Sequence, residues 1–147
     1  MAHEEVEWNL EEIKRLQNEN KAYKIIKKGI LEQKDLQAIK NELKLEKCNT
    51  KLPLDELELD EDILYRKTYS PYGEPIRAII LTPDYTQKAL RLAHSVFPAG
   101  HGGVKVTLNR CMKMAYWPGI KKDVKKYCKQ CQVCSHFKSV GNSPQHL

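Results

Sequence analysis

Three stretches of helical apolar spacing open the chain. Leu10, Ile13 and Leu16 share one face of a 3.6-residue repeat, as do Ala22, Ile25 and Ile26, and then Leu36, Ile39 and Leu43. Residues 6–47 are therefore expected to be helices, with a break at "NEN" (18–20) and with Gly29 ending the second. The pattern then changes. "LDELELDED" alternates leucine with carboxylates, which suits an edge strand with one side in water. "ILYRKTY" (63–69) and "PIRAIIL" (75–81) are rich in β-branched and aromatic residues, and the turn signal "SPYGE" between them predicts a hairpin. Helical spacing returns in "TPDYTQKALRLAHSVF". There Thr82 is expected to cap, Pro83 to occupy the first position, and Tyr85, Ala89, Leu92, Ala93 and Val96 to face the core. "PAGHGG" breaks that helix. Two more are expected, from Val104 to Ala115 and over about 119–129, joined by a turn at "YWPGI", with a final turn from Cys131 to Phe137.

Composition narrows the class. With 41% hydrophobic and 30% charged residues the chain reads as a folded, soluble protein. It has no apolar run long enough to span a membrane, and its acidic start has no secretory h-region. The expected setting is intracellular and reducing, where cysteines bind metal or stay free more often than they pair. Charge is unevenly spread. Residues 1–62 carry 11 Lys/Arg against 16 Asp/Glu, a balance of −5, and residues 63–147 carry 14 against 3, a balance of +11. Only the second part offers an attractive field to a polyanion.

That second part also holds metal-ligand chemistry. His94 and His101 stand ahead of Cys131 and Cys134, and the Cys-x-x-Cys spacing lets both sulfurs reach one ion. The glycines around His101 allow a tight bend. Four imidazole and thiolate ligands close a tetrahedral structural site for one Zn²⁺, with no open position for a water nucleophile. Large apolar side chains are few in this segment, so metal-binding energy would serve as folding energy. Alternatives exist: Cys128 with Cys131 is a competing pair, and His136 is a substitute ligand. Cys128 follows Val124 by four residues on an apolar helix side and reads as a core residue, and Cys111 as a buried thiol.

The helix "GIKKDVKKYCKQC" sets Lys121, Lys125 and Lys129 at four-residue steps with Lys122 and Lys126 beside them. Lys105, Arg110, Lys113 and Lys138 extend the basic set. Such lysines suit salt-dependent phosphate contact, or simply a solvated face. The carboxylates Glu56, Glu58, Asp60 and Asp62 read as a solvated acidic stretch rather than a two-metal site.

Together these residues resemble a known family. "HSVFPAGHGGVKVTLNRCMKMAYWPGIKKDVKKYCKQCQVCSHFK" is similar to the His-His-Cys-Cys zinc-binding domain of gypsy-type LTR-retrotransposon integrases. The pattern is met by His94, Gly100-His101, Gly103, Thr107, Tyr116 to Gly119, Asp123-Val124, Tyr127, Cys131, Cys134 and Lys138. Upstream, "LYRK", "IIL" and the helix with His94 resemble the N-terminal extension that precedes such domains. The expected fold is mainly α with a small β-hairpin (α+β): a helical lead-in (1–50), an extension (51–83), a zinc-stapled domain of three or four helices (84–140) and a linker (141–147). The resemblance implies a structural Zn²⁺ and a role in integrase multimerisation and in holding retroelement DNA ends. It also implies a nuclear location, or one in cytoplasmic retroelement particles. No membrane or small-molecule substrate is expected. Integrases join DNA with a separate ribonuclease-H-like domain, for which the residues after Lys121 leave no room, so strand transfer by this chain alone is not expected. An integrase fragment and a domesticated interaction or dimerisation module both remain open.

Overall fold

The structure, a computed structural model, describes residues 7–95 and 103–130. Two compact units divide the chain: Met1–Tyr85 with Met114–Pro118, and Thr86–Lys113 with Gly119–Leu147. The first unit holds helices α1 (Leu10–Glu19), α2 (Lys21–Leu31) and α3 (Leu36–Leu45), and strands β1 (Leu57–Asp60), β2 (Ile63–Tyr69), β3 (Pro75–Ile80) and β4 (Ala115–Tyr116). The second holds α4 (Gln87–Ser95), α5 (Gly103–Met114) and α6 (Ile120–Gln130). The fold is mainly α with a small sheet, as expected. Among the described residues no helix is long and apolar enough to cross a membrane.

Short polar side chains start the first three helices. Asn9, Asn20 and Asp35 each accept a hydrogen bond from the backbone N–H three residues on, at 3.1, 3.1 and 2.8 Å. Asn20 also ends α1, so the break expected at "NEN" falls at that residue. Gly29 does not end α2. It lies buried inside the helix, where an added Cβ would stand 2.5 Å from Ile39 Cγ1, so its absent side chain lets α2 and α3 approach closely. The actual stops are Gln33 and Lys47, both in the left-handed region at φ 59 and 57. Behind each, paired N–H to carbonyl bonds close a Schellman turn: Lys34 to Gly29 and Gln33 to Ile30, then Cys48 to Leu43 and Lys47 to Lys44. Neither stop is a glycine, which is why composition pointed elsewhere. The cap read at Thr82 is also displaced. Pro83–Tyr85 forms a single 3-10 turn, α4 begins at Gln87, and the Thr82 hydroxyl, buried, has no hydrogen-bond partner among the described residues.

The hairpin 63–69/75–80 forms the centre of a sheet ordered β1-β2-β3-β4. β1 pairs antiparallel with β2 through a two-residue turn, with Glu61 and Asp62 both at positive φ as a type I′ connection requires. The edge strand expected from the alternating leucines is therefore present, but its carboxylates are not merely solvated. Glu56 bonds Arg66 at 2.8 Å, Glu58 and Asp60 meet Arg77 at 2.9 and 2.6 Å, and Asp62 lies 3.6 Å from Lys27. Asp62 is held below its ordinary pKa chiefly by a hydrogen bond from Asn18. β4 has no signature in the sequence, because two residues carry no periodicity. It pairs parallel with β3 at Ile79 and Ile80.

One side of the sheet packs on the helices. Leu64 and Ile80 join Tyr23, Ile26, Ile39, Leu43 and Leu52 in one core cluster. Burial there pushes the Tyr23 hydroxyl up to about 12. In α1 the buried pair is Ile13 and Gln17, whereas Leu10 from the expected stripe is exposed. Gln17 is buried because its amide replaces strand hydrogen bonds. Its Oε1 accepts from the Leu64 N–H at 2.9 Å, and its Nε2 donates to the carbonyls of Ile80 at 2.7 Å and Leu64 at 3.3 Å. The β2–β3 register runs only to Tyr65↔Ile79, and the amide bridges the next pair.

Gln17→Leu keeps the volume and removes the bridge, leaving buried backbone groups without partners. A loss of about 2–5 kcal/mol in urea unfolding is expected. A loss below about 0.5 kcal/mol, the range of ordinary surface changes, would show that the sheet closes without the amide.

Candidate metal centre and basic helix

In the second unit, α4 carries His94 in its last turn, next to the buried Ala89, Leu90 and Ala93. The imidazole is only 1% exposed. Buried polar atoms need partners, and two other helices supply them. Thr107 Oγ1 of α5 lies 3.1 Å from His94 Nδ1, and Cys128 Sγ of α6 lies 3.5 Å from the same nitrogen. Tyr127 sets its ring edge-on to the imidazole, with centroids 5.6 Å apart. α4, α5 and α6 thus meet around one ring.

Local chemistry fixes each of these helices. Gly103 (φ 82) opens α5 and Gly119 (φ 88) precedes α6, where the Gly119 carbonyl accepts from the Asp123 N–H at 3.0 Å. A Cβ at either glycine would meet nothing, so the requirement is the left-handed backbone alone. Arg110 donates to the Ala93 carbonyl at 3.0 Å, satisfying a backbone acceptor in the last turn of α4. That side chain is partly buried and turned inward, so Arg110 does not extend the basic surface as the sequence suggested. Trp117 lies buried, and Tyr116 stacks under the Arg66 guanidinium at 4.5 Å.

Among the predicted ligands, His94 lies within the described residues, and His101, Cys131 and Cys134, with the substitute His136, lie outside them. Among the described residues no three His, Cys, Asp or Glu side chains converge on one point. Cys128 is buried as expected of a core residue, yet it also touches the ring of a predicted ligand, which sequence spacing did not reveal. Cys111 is buried too, and burial pushes its thiol up to about 12, so it stays protonated at neutral pH. The roles of Thr107 and Tyr127 were likewise missed. Both belong to the residue pattern quoted above, and their contacts with His94 give a physical reason for that pattern.

α6 has two distinct faces. Ile120, Val124 and Cys128 are buried, whereas Lys121, Lys122, Lys125, Lys126 and Lys129 are all exposed. Lys105, in the first turn of α5, is exposed as well, as is Lys113, and Lys138 lies outside the described residues. The lysine side chains therefore sit on the solvent side of a helix whose other side is packed.

Residues 81–140 match the integrase zinc binding domain. The match spans His94, His101, Cys131 and Cys134 together with α4, α5 and α6. It supports an integrase-type N-terminal domain in this chain, and the zinc binding such a domain implies. No solved structure matches the chain.

The two faces of α6 should respond differently to substitution. Val124→Ala, at a fully buried position, is expected to cost about 1–3 kcal/mol in thermal or urea unfolding of the zinc-loaded protein. Lys125→Glu is expected to shift stability by no more than about 0.5 kcal/mol. Equal losses at both positions would contradict the orientation described.

Proposed function

We propose that this chain is a non-catalytic, zinc-stabilised N-terminal module of a retroelement integrase or an integrase-derived protein. In this reading it contributes to DNA-end binding and to integrase multimerisation. The observation that carries the proposal is the buried His94 held at Nδ1 by Thr107, inside a segment that matches the integrase zinc binding domain. A metal-bound histidine characteristically has its other ring nitrogen in a hydrogen bond that sets tautomer and orientation. Contact at Nδ1 fits metal binding through Nε2, so the residues present suit the group. His94, His101, Cys131 and Cys134 would hold one Zn²⁺, which supplies cross-linking energy to a domain of three short helices and a thin core.

The ligand set can be tested directly, because two thiols compete for the role. Cys131→Ser is expected to take metal content from about one zinc per chain to almost none and to unfold the second unit. Cys128→Val should keep its zinc, since the valine fills the same buried place on α6. Zinc retained by Cys131→Ser, or lost from Cys128→Val, would transfer the ligand role to Cys128.

DNA contact rests on the exposed lysines of α6. Phosphate neutralisation by Lys122, Lys125 and Lys126 would give binding that weakens as salt rises and discriminates little between sequences. A second reading, an interaction or dimerisation module with no DNA role, draws on large apolar side chains left in water on the first unit, Leu31 and Leu45 among them. Light scattering of the zinc-loaded protein, alone and with a DNA duplex at two salt concentrations, separates the readings. The expected result is a salt-sensitive complex. Lys122→Glu/Lys125→Glu/Lys126→Glu should weaken it and lower the salt slope by about one for each phosphate no longer neutralised. A dimer indifferent to DNA, with the triple variant unchanged, would leave the second reading in place.

A further inference from the structure

The first unit carries a cleft lined by its own residues. It lies between α3 and residues 48–55, encloses about 580 Å³, and is walled by Leu36, Lys40, Leu43 and Lys44 on one side and by Leu52, Pro53 and Leu54 on the other. Positions 36, 40, 43 and 44 fall on one face of α3, so this wall is a continuous helix surface. From Leu36 to Lys44 it is about 12 Å long. Leu36 is 41% exposed, which leaves apolar surface in water at the first turn of α3.

The charges around the cleft do not follow from the acidic balance of residues 1–62. In this unit the carboxylates are largely consumed by ion pairs. Glu46 is held by Lys21 and Glu42 by Lys34, and Glu56, Glu58, Asp60 and Asp62 face Arg66, Arg77 and Lys27. By contrast, the ammonium groups of Lys40 and Lys44 have no ion-pair or hydrogen-bond partner among the described residues, and Lys47 and Lys51, exposed in the segment that follows α3, add two more cations. Asp55 is the one acid in the lining. An apolar floor with an unneutralised basic rim is therefore set into a unit whose formal charge is negative.

We propose that this cleft docks an acidic, amphipathic peptide segment of a partner protein. The segment would present large apolar side chains to Leu36, Leu52 and Leu54 and set Asp or Glu residues against Lys40 and Lys44. Peptide grooves of this kind combine apolar anchors in the floor with charges at the rim that set partner choice. The floor also distinguishes a peptide from nucleic acid. The lining contains no aromatic side chain on which a base could stack, and phosphates bound to the lysines would leave the leucines in water.

A random peptide display library panned against the full zinc-loaded chain tests this directly. The enriched peptides should carry net negative charge and at least two large apolar residues. A labelled consensus peptide should bind about tenfold more weakly to Lys40→Glu/Lys44→Glu, as expected when rim charges oppose a charged partner. Leu36→Asp, a separate variant at the first position of α3, should weaken it as well. Both variants alter exposed side chains, so circular dichroism melts matching the parent separate impaired binding from impaired folding. The proposal is overturned if no peptide is enriched, if the enriched set has no acidic bias, or if the consensus binds the charge-reversed variant as tightly as the parent. It is also overturned if a DNA duplex, and no peptide, loses affinity on Lys40→Glu/Lys44→Glu. The peptide outcomes depend neither on the zinc ligands nor on α6.

Discussion

A fully buried imidazole is the constraint around which the second unit is arranged. Polar ring atoms removed from water cost free energy unless they gain partners. His94 meets that requirement with Thr107 from α5 and Cys128 from α6, and Tyr127 closes on the ring from the side. These contacts come from two short helices with little apolar surface of their own. The polar contacts at the ring therefore specify how α4, α5 and α6 meet more narrowly than their apolar faces alone could.

The first unit solves a different problem with the same economy. Its sheet is small, and its β2–β3 ladder stops where a side-chain amide takes over. Gln17 serves as a donor and an acceptor in one planar group, so it can join the two strands beyond the point where their own ladder ends. The close approach of α2 to α3 at Gly29 then brings Ile39 and Leu43 onto the same core. Burial in this unit depends on a handful of specific contacts more than on apolar mass.

Electrostatics separates the two units by use rather than by sign alone. In the first, charges of both signs face each other across strands and helices, and Arg77, for instance, takes Glu58 and Asp60 together while lying 3.9 Å over the Tyr65 ring. In the second, the lysines of α6 project into solvent from a helix anchored by Val124. Salt therefore acts chiefly on internal pairs in the first unit, the lysines of its cleft apart, and on the field offered to a partner in the second.

Much of this was legible in the chain. The three opening helices, the hairpin, the two-faced α6 and the ligand-type residues all follow from periodicity, turn chemistry and spacing, because those signals are local and repeat over several residues. Helix stops at Gln33 and Lys47 were not legible, since left-handed conformations there are held by backbone bonds and by packing rather than by residue type. Neither was β4, which exists only because Leu81 and the carbonyl of Tyr116 meet across a long excursion of the chain. The same holds for Gln17, Thr107 and Tyr127, ordinary polar residues whose importance lies in what they face. Sequence determined which residues could carry chemistry and on which helix faces they fall. Tertiary structure decided which of them touch, because a hydrogen bond depends on ångström distances between atoms that can lie dozens of residues apart.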